Sequence, residues 1–518
     1  MRTLIRKALI LAMGGPHGDE PFVGDLLVEG ERIAAIGPNL GELHDAAVIE
    51  GRDRLVMPGL VNAHLHSSEQ FFKGRYERMP LEVWLLYAYP LLMDPPIPER
   101  LIYLRSMLVA IESLKSGVTT ICDDFFDPPT LSLERIGVVF SAYEAAGIRA
   151  NVSNSIINVP ALDALPFARE IVPTELQRAL DAGERVTGAA YADYSEKVFA
   201  AYHGRAGRLG YMISPSAPQR CTVDLLEACA ALAQAHGVPF HTHVLETKTQ
   251  AVTGPEVLGK SLIRYMHGLG LLTRKVAIAH SVWVDDEEMR LMGEAGCSIA
   301  HNAVSNLKLG SGVAPLRRLM DAGVTIALGT DGASSNDTLR IFDVMRVAAL
   351  IHSASGPDFS RWLTAADILR AATIGGAYSA MLEKETGSLE VGKRADLIML
   401  RTDTLPFTPM NDVRKHLVFA ENGSSLELVM VNGAVAVREG QLTQIDEGEI
   451  LREVRESIPE YLAAHGRVEE RNRALEPYMT EIHRRTALRD VGLNRYAGDM
   501  PIWPGANRGR SALPSDRV

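Results

Sequence analysis

Pro58-Gly-Leu-Val-Asn-Ala-His-Leu-His66 is the stretch that decides the fold, because it places two histidines at the C-terminal end of a short apolar run. Three later pieces repeat this arrangement at the ends of runs that are typical of buried strands: His243-Val-Leu-Glu246, His280 in Val276-Ala-Ile-Ala-His-Ser281, and Leu328-Gly-Thr-Asp-Gly332. Parallel strands that end at one face can bring such nitrogen and oxygen ligands to one cation. The ordered set, rather than any single piece, predicts a metal site.

Length and composition indicate a chain with a substantial hydrophobic core. The protein has 518 residues, of which 47% are hydrophobic, which allows one large domain with a satellite or two to three ordinary domains. Its formal net charge is −11 and it has no basic cluster with interleaved aromatics, which argues against nucleic acid or an anionic membrane as a partner. The cysteines are far apart, which argues against disulfides and against a cysteine zinc site: Cys122, Cys221, Cys229 and Cys297.

The first thirteen residues superficially resemble a signal peptide. Their apolar part is too short, and no small-residue cleavage site follows before Gly14-Gly15-Pro16. A first β-strand fits this segment better, and no stretch of the chain approaches transmembrane length. We therefore expect a cytoplasmic protein that does not bind membranes.

The order of predicted elements divides the chain into four parts. Residues 1–57 and 385–445 alternate short β-type runs with turns, which predicts one small sheet domain built from both segments. Residues 58–384 alternate strands with amphipathic helices, with strands predicted at 118–123, 148–153, 210–214, 239–244, 276–280, 298–301 and 325–329. About eight such repeats predict an α/β fold with a parallel (β/α)8 barrel, whose active residues lie at the C-terminal strand ends.

Residues 446–518 are predicted to form a helical C-terminal extension. Charged amphipathic helices are expected at 450–466 and 468–485, followed by an irregular tail over 489–518 that is rich in Gly, Pro and Arg. This arm could cover the mouth of the active site, pack against a sister subunit or be partly disordered. The sequence does not choose among these roles.

The metal ligands can be chosen from the residues themselves. His64 and His66 lie two positions apart, so on a regular strand they face the same side and can meet one ion. His243 is favoured over His241 as the third imidazole because a glutamate follows it three residues on, which leaves His241 as a supporting or core histidine. Asp331 alone could be a helix cap, but beside three imidazoles it is the expected fourth ligand. Three nitrogens and one oxygen leave a position for water, as in hydrolytic zinc sites.

Two further residues are candidates for catalysis beside the metal. Glu246 could deliver a proton to the substrate or leaving group, a role that burial favours by raising the carboxyl pKa toward neutrality. Asp331 could both bind the metal and accept the proton of the water. His280 could orient the water or polarise the electrophilic carbon, or it could be a fourth histidine ligand. His301 and Asn302 end the next strand and could contact substrate or brace the barrel rim.

Together these residues resemble the amidohydrolase superfamily. They are most similar to the branch that holds S-adenosylhomocysteine/methylthioadenosine deaminases, guanine deaminase, cytosine-deaminase-like proteins and triazine hydrolases. The resemblance covers roughly residues 1–445 and rests on the motif at 57–66, His243-x-x-Glu246, Ala279-His280, and the segments 301–309 and 327–336.

The resemblance implies a distorted (β/α)8 barrel with a small β-sandwich domain. It also implies one divalent metal, with zinc expected first and iron or manganese as alternatives. The implied ligands are His64, His66, His243 and Asp331, with Glu246 and His280 catalytic. No strand end offers a bridging lysine, which is consistent with a mononuclear site. A homodimer or homotetramer is expected on the same basis.

Three departures from the family pattern bear on the substrate. Leu91-Leu92 follows Pro90 where nucleoside deaminases carry a ribose-binding glutamate, and Pro215-Ser-Ala-Pro218 replaces their Pro-His-[Ala/Ser]-Pro segment, so we expect a substrate without ribose. Glu69 replaces a glutamine of guanine deaminase and would favour N–H donors on the substrate, although it could be a solvated loop residue. The candidate substrate-binding residues are Glu69, Trp84, Ser216, Gln219, His301 and Asn302.

The sequence therefore predicts a mononuclear metal-dependent hydrolase of C–N bonds that acts on a small molecule. We expect deamination of an amino-substituted N-heterocycle such as a pyrimidine, a purine base or an s-triazine. Amide or urea hydrolysis, or dehalogenation of a heterocycle, could use the same residues. A non-catalytic binding or scaffold protein is the alternative of another class, and the complete ligand set argues against it.

Overall fold

The computed structural model describes residues 2–92, 97–127, 131–183 and 185–498. Its strands, in chain order, are β1 Arg2–Ile10, β2 Phe22–Glu29, β3 Arg32–Gly37, β4 Ala47–Glu50, β5 Arg54–Pro58, β6 Leu60–Leu65, β7 Val118–Phe125, β8 Arg149–Asn154, β9 Leu209–Tyr211, β10 Phe240–Val244, β11 Val276–His280, β12 Ser298–His301, β13 Thr325–Leu328, β14 Leu397–Arg401, β15 Leu426–Val431, β16 Ala434–Arg438 and β17 Gln441–Leu442.

Helices alternate with the strands through the middle of the chain and follow them at its end. They are α1 Leu81–Ala88, α2 Glu99–Lys115, α3 Leu133–Ala146, α4 Ala168–Ile171, α5 Thr174–Asp181, α6 Gly188–Tyr202, α7 Val223–His236, α8 Lys248–Leu258, α9 Leu262–Gly268, α10 Asp286–Glu294, α11 Ala303–Lys308, α12 Leu316–Asp321, α13 Ile341–Ile351, α14 Ala365–Arg370, α15 Gly376–Ser379, α16 Val413–Phe419, α17 Glu447–Asn472 and α18 Glu476–Ala487.

Strands from both β-rich segments share one sheet. Within the described part of the chain this sheet has nine strands in the order β17-β16-β15-β14-β5-β1-β2-β3, with β4 paired to β1. The two segments meet where β14 pairs antiparallel with β5, which sets Leu397 opposite Pro58. An apolar cluster that includes Ile5, Leu26 and Leu397 is buried against this sheet. The segment at 2–10 is a strand, as the sequence predicted.

The middle of the chain supplies two parallel sheets. Among the described residues each has four strands, in the orders β6-β7-β8-β9 and β10-β11-β12-β13. An isolated parallel bridge joins Ile213 to Phe240 of β10, and the amide of Asp331, just after β13, donates to the carbonyl oxygen of His64 in β6 at 3.0 Å. The two sheets therefore touch at both edges. The predicted mixed α/β fold with parallel sheets is confirmed.

Burial explains why the strands of the two parallel sheets are so apolar. Every residue of β7, β8 and β11 is buried, as expected for parallel strands covered on both faces. The strands β11 and β12 coincide with the predicted ones, whereas β9 ends at Tyr211 rather than at residue 214. The chain changes partner there, because the amide of Met212 still bonds to Val152 of β8 but that of Ile213 bonds to Pro239 beside β10.

The C-terminal extension is helical, with boundaries that differ from those predicted. Helix α17 continues through Gly466 to Asn472, where a short 3-10 turn separates it from α18. A single glycine inside a helix is tolerated when the helix is packed, and α17 packs against α2 and α1. Residues 499–518 of the predicted tail lie outside the described residues. None of the described helices is long and apolar enough to span a membrane.

A buried ion pair joins the parallel sheet to the nine-stranded sheet. The guanidinium of Arg149 in β8 donates to both carboxylate oxygens of Asp396 at 2.6 and 2.9 Å, and the amide of Asn432 donates to Asp396 Oδ1 at 2.7 Å. The Arg149 and Asp396 side chains are only 5% and 1% exposed. Removal of either partner would leave an uncompensated charge in the interior.

We expect Asp396→Ala to lower the free energy of unfolding by about 3–5 kcal/mol, because it leaves the Arg149 charge buried without a partner. Urea denaturation followed by circular dichroism would measure the change. The control is Glu287→Ala, which removes an exposed, solvent-screened partner of Arg290 and should change the free energy of unfolding far less. Equal effects of the two substitutions would show that the buried pair does not hold the sheets together.

Candidate metal centre

Asp331 lies opposite the two histidines of β6. Its carboxylate Oδ1 is 3.3 Å from His64 Nε2 and 3.4 Å from His66 Nε2. Asp331 follows β13 in a left-handed conformation with φ +64°, and its main-chain bond to His64 turns the side chain back over the strand end. Its Oδ2 accepts a hydrogen bond from Ser305 Oγ at 2.6 Å. The carboxylate is therefore held between β13 and β6.

A third imidazole, His243, completes the group. Its Nε2 lies 3.3 Å from His66 Nε2, while its Nδ1 bonds to the carbonyl oxygen of Ser216 at 2.8 Å. The other two histidines are fixed in the same way at Nδ1: His66 bonds to the carbonyl oxygen of Asp124 at 2.8 Å, and His64 to His241 Nε2 at 2.7 Å. Each ring thus presents Nε2 to a common centre, the arrangement that outer hydrogen bonds give metal ligands.

The donor set fits one divalent cation. The separations of 3.3–3.4 Å between ligand atoms match the edges of a tetrahedron with metal–ligand bonds of about 2.0–2.1 Å. His64 Nε2 is buried and has no hydrogen-bond partner among the described residues, which an ion would relieve. Two overlapping groups, His64 with His280 and Asp331, and His66 with Glu69 and Asp331, also have ligand atoms within 4.8 Å of one another.

The protonation states suit metal binding. Burial lowers the pKa of His64 and of His243 well below the usual value, which keeps both imidazoles neutral. Burial also lowers the pKa of His66, but the negative charges of Asp331, Glu69 and Asp124 outweigh it and raise that pKa to about 9. Burial would raise the pKa of Asp331, yet the neighbouring histidines hold it well below its usual value. The cluster therefore contains an ionised carboxylate beside two neutral rings, His64 and His243, and His66 must release its proton to bind a cation.

Glu246 and His280 lie together at the edge of this cluster. His280 Nε2 is 3.6 Å from Glu246 Oε2 and 3.9 Å from Asp331 Oδ2, while its Nδ1 bonds to Asn306 Oδ1 at 2.8 Å. Burial raises the pKa of Glu246 to about 7, with His280 opposing the shift and Asp331 adding to it. His280 has φ +77°, a strained conformation of the kind found at functional sites. A carboxyl with this pKa can both donate and accept a proton near neutral pH.

A cavity of about 80 Å³ opens beside the cluster and adjoins an apolar chamber of about 260 Å³. Trp84 and Ser216, two of the predicted substrate-binding residues, line the cavity, and Gln219 lines the chamber. The Trp84 Nε1–H and the Gln219 Oε1 are buried without a hydrogen-bond partner in the described part of the chain. Both atoms can therefore serve a bound ligand.

The other three predicted substrate-binding residues lie behind the site. Glu69 is fully buried and accepts hydrogen bonds from Tyr89 at 2.7 Å and from the Ser334 hydroxyl at 2.6 Å, and a side chain at Gly332 would collide with its carboxylate. Asn302 Nδ2 lies 3.3 Å from His280 Nδ1, and His301 Nε2 lies 3.3 Å from His352 Nε2. Among the described residues that line the two cavities these three do not appear.

Sequence reasoning missed Asp124 and Arg220. Asp124 ends β7, is fully buried and accepts hydrogen bonds from the hydroxyls of Ser153 and Ser155 at 2.7 and 3.2 Å. Its Oδ2 lies 4.0 Å from Nδ1 of both His66 and His243. The paired aspartates at the end of the predicted strand were the available signal. Arg220 lines both cavities, and nothing in its sequence context indicated that position.

Comparison with known proteins agrees with the geometry. Residues 55–436 match the model of the amidohydrolase family. A 5'-deoxyadenosine deaminase from Methanosarcina barkeri is 31% identical over 460 residues, which cover 88% of this chain and 98% of the relative. A 5-methylthioadenosine/S-adenosylhomocysteine deaminase from Caldanaerobacter subterraneus subsp. tengcongensis is 33% identical over 457 residues, with 88% and 97% covered.

A solved structure with a metal is also similar to the chain. The atrazine chlorohydrolase from Arthrobacter aurescens TC1, complexed with zinc, superposes with a TM-score of 0.79 at 26% identity and covers 88% of this chain and all of its own. The zinc in this structure and the deaminases among the relatives support the predictions of a divalent metal and of an enzyme that hydrolyses C–N bonds.

The expectation of a substrate without ribose conflicts with the similar proteins, because both deaminases are named for adenosine-type compounds. The chain lacks the glutamate and the histidine that nucleoside deaminases carry at these two places, so it lacks their hydrogen bonds. Other donors line the cavity, among them Trp84 and Arg220. The amides of Leu91 and Leu92 instead bond to Asn472 of α17 at 3.0 and 3.1 Å, so this loop is held by the C-terminal extension. From its motifs, its strand-end cluster and its relatives, the chain belongs to the amidohydrolase family.

Proposed function

We propose that this chain is a mononuclear metal-dependent aminohydrolase that removes the amino group of an adenosine-type N-heterocycle. The observation that carries the proposal is the series of 3.3–3.4 Å separations that links the ligand atoms of His64, Asp331, His66 and His243 beside a buried Glu246. These four residues would hold the metal, with zinc first and iron or manganese as alternatives. When bound, the metal would activate a water molecule for attack and stabilise the negative charge that develops on the substrate.

The residues of the chain would move the protons. Asp331 would accept a proton from the attacking water, because its low pKa keeps it an ionised carboxylate. Its Oδ2 lies 3.9 Å from His280 Nε2. Glu246 would protonate the ring nitrogen next to the amino-bearing carbon, a role suited to its pKa of about 7. The water oxygen would form a bond to that carbon, Asp331 would pass the proton it accepted to the amino group, and the C–N bond would break to release ammonia. The remaining hydroxyl proton would return to Glu246, which restores its protonated form. His280, held by Asn306, would orient the reacting atoms.

The cavity residues would bind the heterocycle. The free Nε1–H of Trp84 and the Ser216 side of the cavity would contact the ring, and Gln219 would contact a substituent in the apolar chamber. Glu69 and Asn302 would act behind them by holding Tyr89 and His280, and His301 would brace the rim beside His352. The relatives that act on adenosine-type compounds support this substrate class.

A second candidate function is replacement of a ring substituent on an s-triazine by water. The similarity to the zinc-bound atrazine chlorohydrolase favours it over amide or urea hydrolysis. The same ligands and the same Glu246 would serve this reaction, because only the leaving group differs. Fold alone does not separate the two reactions.

The architecture is part of the proposal. We propose that β6–β13 close into a distorted (β/α)8 barrel over residues 58–384, with a small β-sandwich domain from residues 1–57 and 385–445. The contacts at both edges of the two parallel sheets support closure. Residues 446–518 would form a separate extension. A cytoplasmic location and a homodimer or homotetramer stay predictions.

An ammonia-release screen with purified zinc-loaded protein tests the proposed function. The panel contains 5'-deoxyadenosine, adenosine, free adenine, an amino-s-triazine and a chloro-s-triazine. We expect ammonia from the adenosine-type compounds. Chloride release without ammonia would favour the second candidate, and no release from any compound by metal-loaded protein would contradict both.

Two alanine substitutions separate metal binding from proton transfer. Glu246→Ala should leave about one metal per chain but lower kcat by about 10²- to 10⁴-fold, because only the proton donor is lost. Asp331→Ala should lose both metal and activity. Metal analysis by mass spectrometry beside turnover would check both. Unchanged turnover of Glu246→Ala would remove it from catalysis, and full metal retention by Asp331→Ala would remove it from the ligand set.

His241 should tune metal affinity through His64. Replacement by phenylalanine removes the hydrogen bond to His64 Nδ1, so we expect metal affinity to fall by about 10- to 100-fold. Competition with a chelator would measure it. The matched control is His267→Phe, at an exposed position on α9, which should leave metal affinity unchanged. Equal affinities of the two variants would contradict this role for His241.

A further inference from the structure

The direction of Glu246 is set by the residues that directly follow it. The Glu246 amide donates to Gln250 Oε1 at 2.9 Å. Thr247 caps α8, since its hydroxyl accepts a hydrogen bond from the Gln250 amide at 3.3 Å. Leu245, just before, has φ +55°. The first turn of α8 therefore fixes where the Glu246 side chain points, and we call residues 247–250 the Glu246 turn.

Helix α18 of the C-terminal extension contacts this turn directly. Lys248 Nζ donates to the carbonyl oxygen of Ala487 at 2.7 Å, and the hydroxyls of Thr249 and Thr486 are 3.0 Å apart. All four residues are buried. The last turn of α18 is thus part of the packing around the Glu246 turn.

Glu82 of α1 provides a further link between the turn and the extension. Its Oε1 accepts a hydrogen bond from the Thr247 hydroxyl at 2.7 Å, and its Oε2 lies 3.4 Å from His483 Nδ1 in α18. Burial would raise the pKa of Glu82, but His483 and Thr247 outweigh it and lower that pKa, so the group is a carboxylate. A buried carboxylate that lies between a hydroxyl and an imidazole depends on both partners, because loss of either leaves its charge less well compensated in the interior.

We propose that Glu82, held by His483, is a positioning residue that orients Glu246 through Thr247, and that α18 thereby completes the catalytic site. The inference rests on the proposed function, since it assigns Glu82 an effect only through the proton transfer by Glu246. It also gives residues 476–487 a role in turnover rather than in covering the protein surface. Displacement of a catalytic group by about 1 Å can cost about 10²-fold in rate.

A purely structural role for Glu82 would look different in kinetics. Glu82 lies in the helix that also carries Trp84 and Leu85 to the cavity wall, so a general disturbance of α1 would weaken substrate binding and raise KM. Positioning of Glu246 acts on the chemical step and lowers kcat. The effect of Glu82 on kcat through positioning also disappears when Glu246 can no longer transfer a proton. The two roles therefore separate in a double-mutant cycle.

The experiment compares Glu82→Ala in the wild-type and Glu246→Gln backgrounds, with zinc-loaded protein and the best adenosine-type substrate. We expect Glu82→Ala to lower kcat by about 10-fold or more in the wild type with little change in KM, and to change the residual kcat of Glu246→Gln by less than about twofold. Glu82→Gln keeps the oxygen that accepts from Thr247 and should restore most of kcat. Equal fold losses in both backgrounds, or no loss in the wild type, would overturn the proposal.

Two further variants guard against misfolding. His483→Ala removes the support of Glu82 at a position whose side chain is 25% exposed, so the protein should fold, and kcat should fall in the same direction. Glu481→Gln on the same helix removes only an exposed pair with Arg484 and Arg485 and should leave kcat unchanged. If Glu246→Gln itself has full activity, the proposed function fails; if it is impaired but His483→Ala is not, only the present inference fails.

Discussion

The site depends on one main-chain hydrogen bond, from the amide of Asp331 to the carbonyl oxygen of His64. It joins the end of β13 to β6 and so brings the last strand of one parallel sheet against the first strand of the other. The left-handed turn at Asp331 then returns the carboxylate to within 3.3–3.4 Å of two imidazoles. His243 and Asp331 belong to one sheet, and His64 and His66 to the other, so this contact brings candidate ligands from both sheets to one point.

The rest of the site follows from satisfying buried polar groups. Each of the three imidazoles is fixed at Nδ1 by a carbonyl oxygen or by His241, which leaves Nε2 for the common centre. Asp331 takes a hydroxyl from Ser305, and His280 is held by Asn306. The polar atoms without partners in the described residues include His64 Nε2 at the centre and Trp84 Nε1 in the cavity wall. Such atoms mark where a cation and a ligand belong.

The C-terminal extension packs against elements that carry the candidate site. Helix α17 holds the loop at Leu91 and Leu92 through Asn472, while α18 reaches Glu82 and the Glu246 turn. These contacts place the two helices of the extension against the loop after α1, against α1 itself and against the Glu246 turn. Lys248 and Thr249 of α8 contact α18 and are buried.

The sequence by itself predicted the mixed α/β fold with parallel sheets and the candidate ligands that the structure brings together. Strands with fully apolar patterns predict parallel sheets. Such a sheet brings its strand ends together, and the candidate ligands lie at these ends: His64, His66, His243 and Asp331. Asp124 was not predicted as a site residue, because an aspartate at a strand end has several ordinary roles. Only the tertiary structure brings it behind the imidazoles of His66 and His243. Glu69 was predicted to be a pocket residue, yet hydrogen bonds from Ser334 and Tyr89, which are distant in sequence, hold its carboxylate behind the cavity. The expectation of a substrate without ribose came from two loop positions and conflicts with the adenosine-type names of the relatives, because a cavity is formed by many segments and two positions do not define it. Tertiary structure alone decided how Glu82, Thr247 and His483 meet, since their contacts join three helices that no local pattern relates.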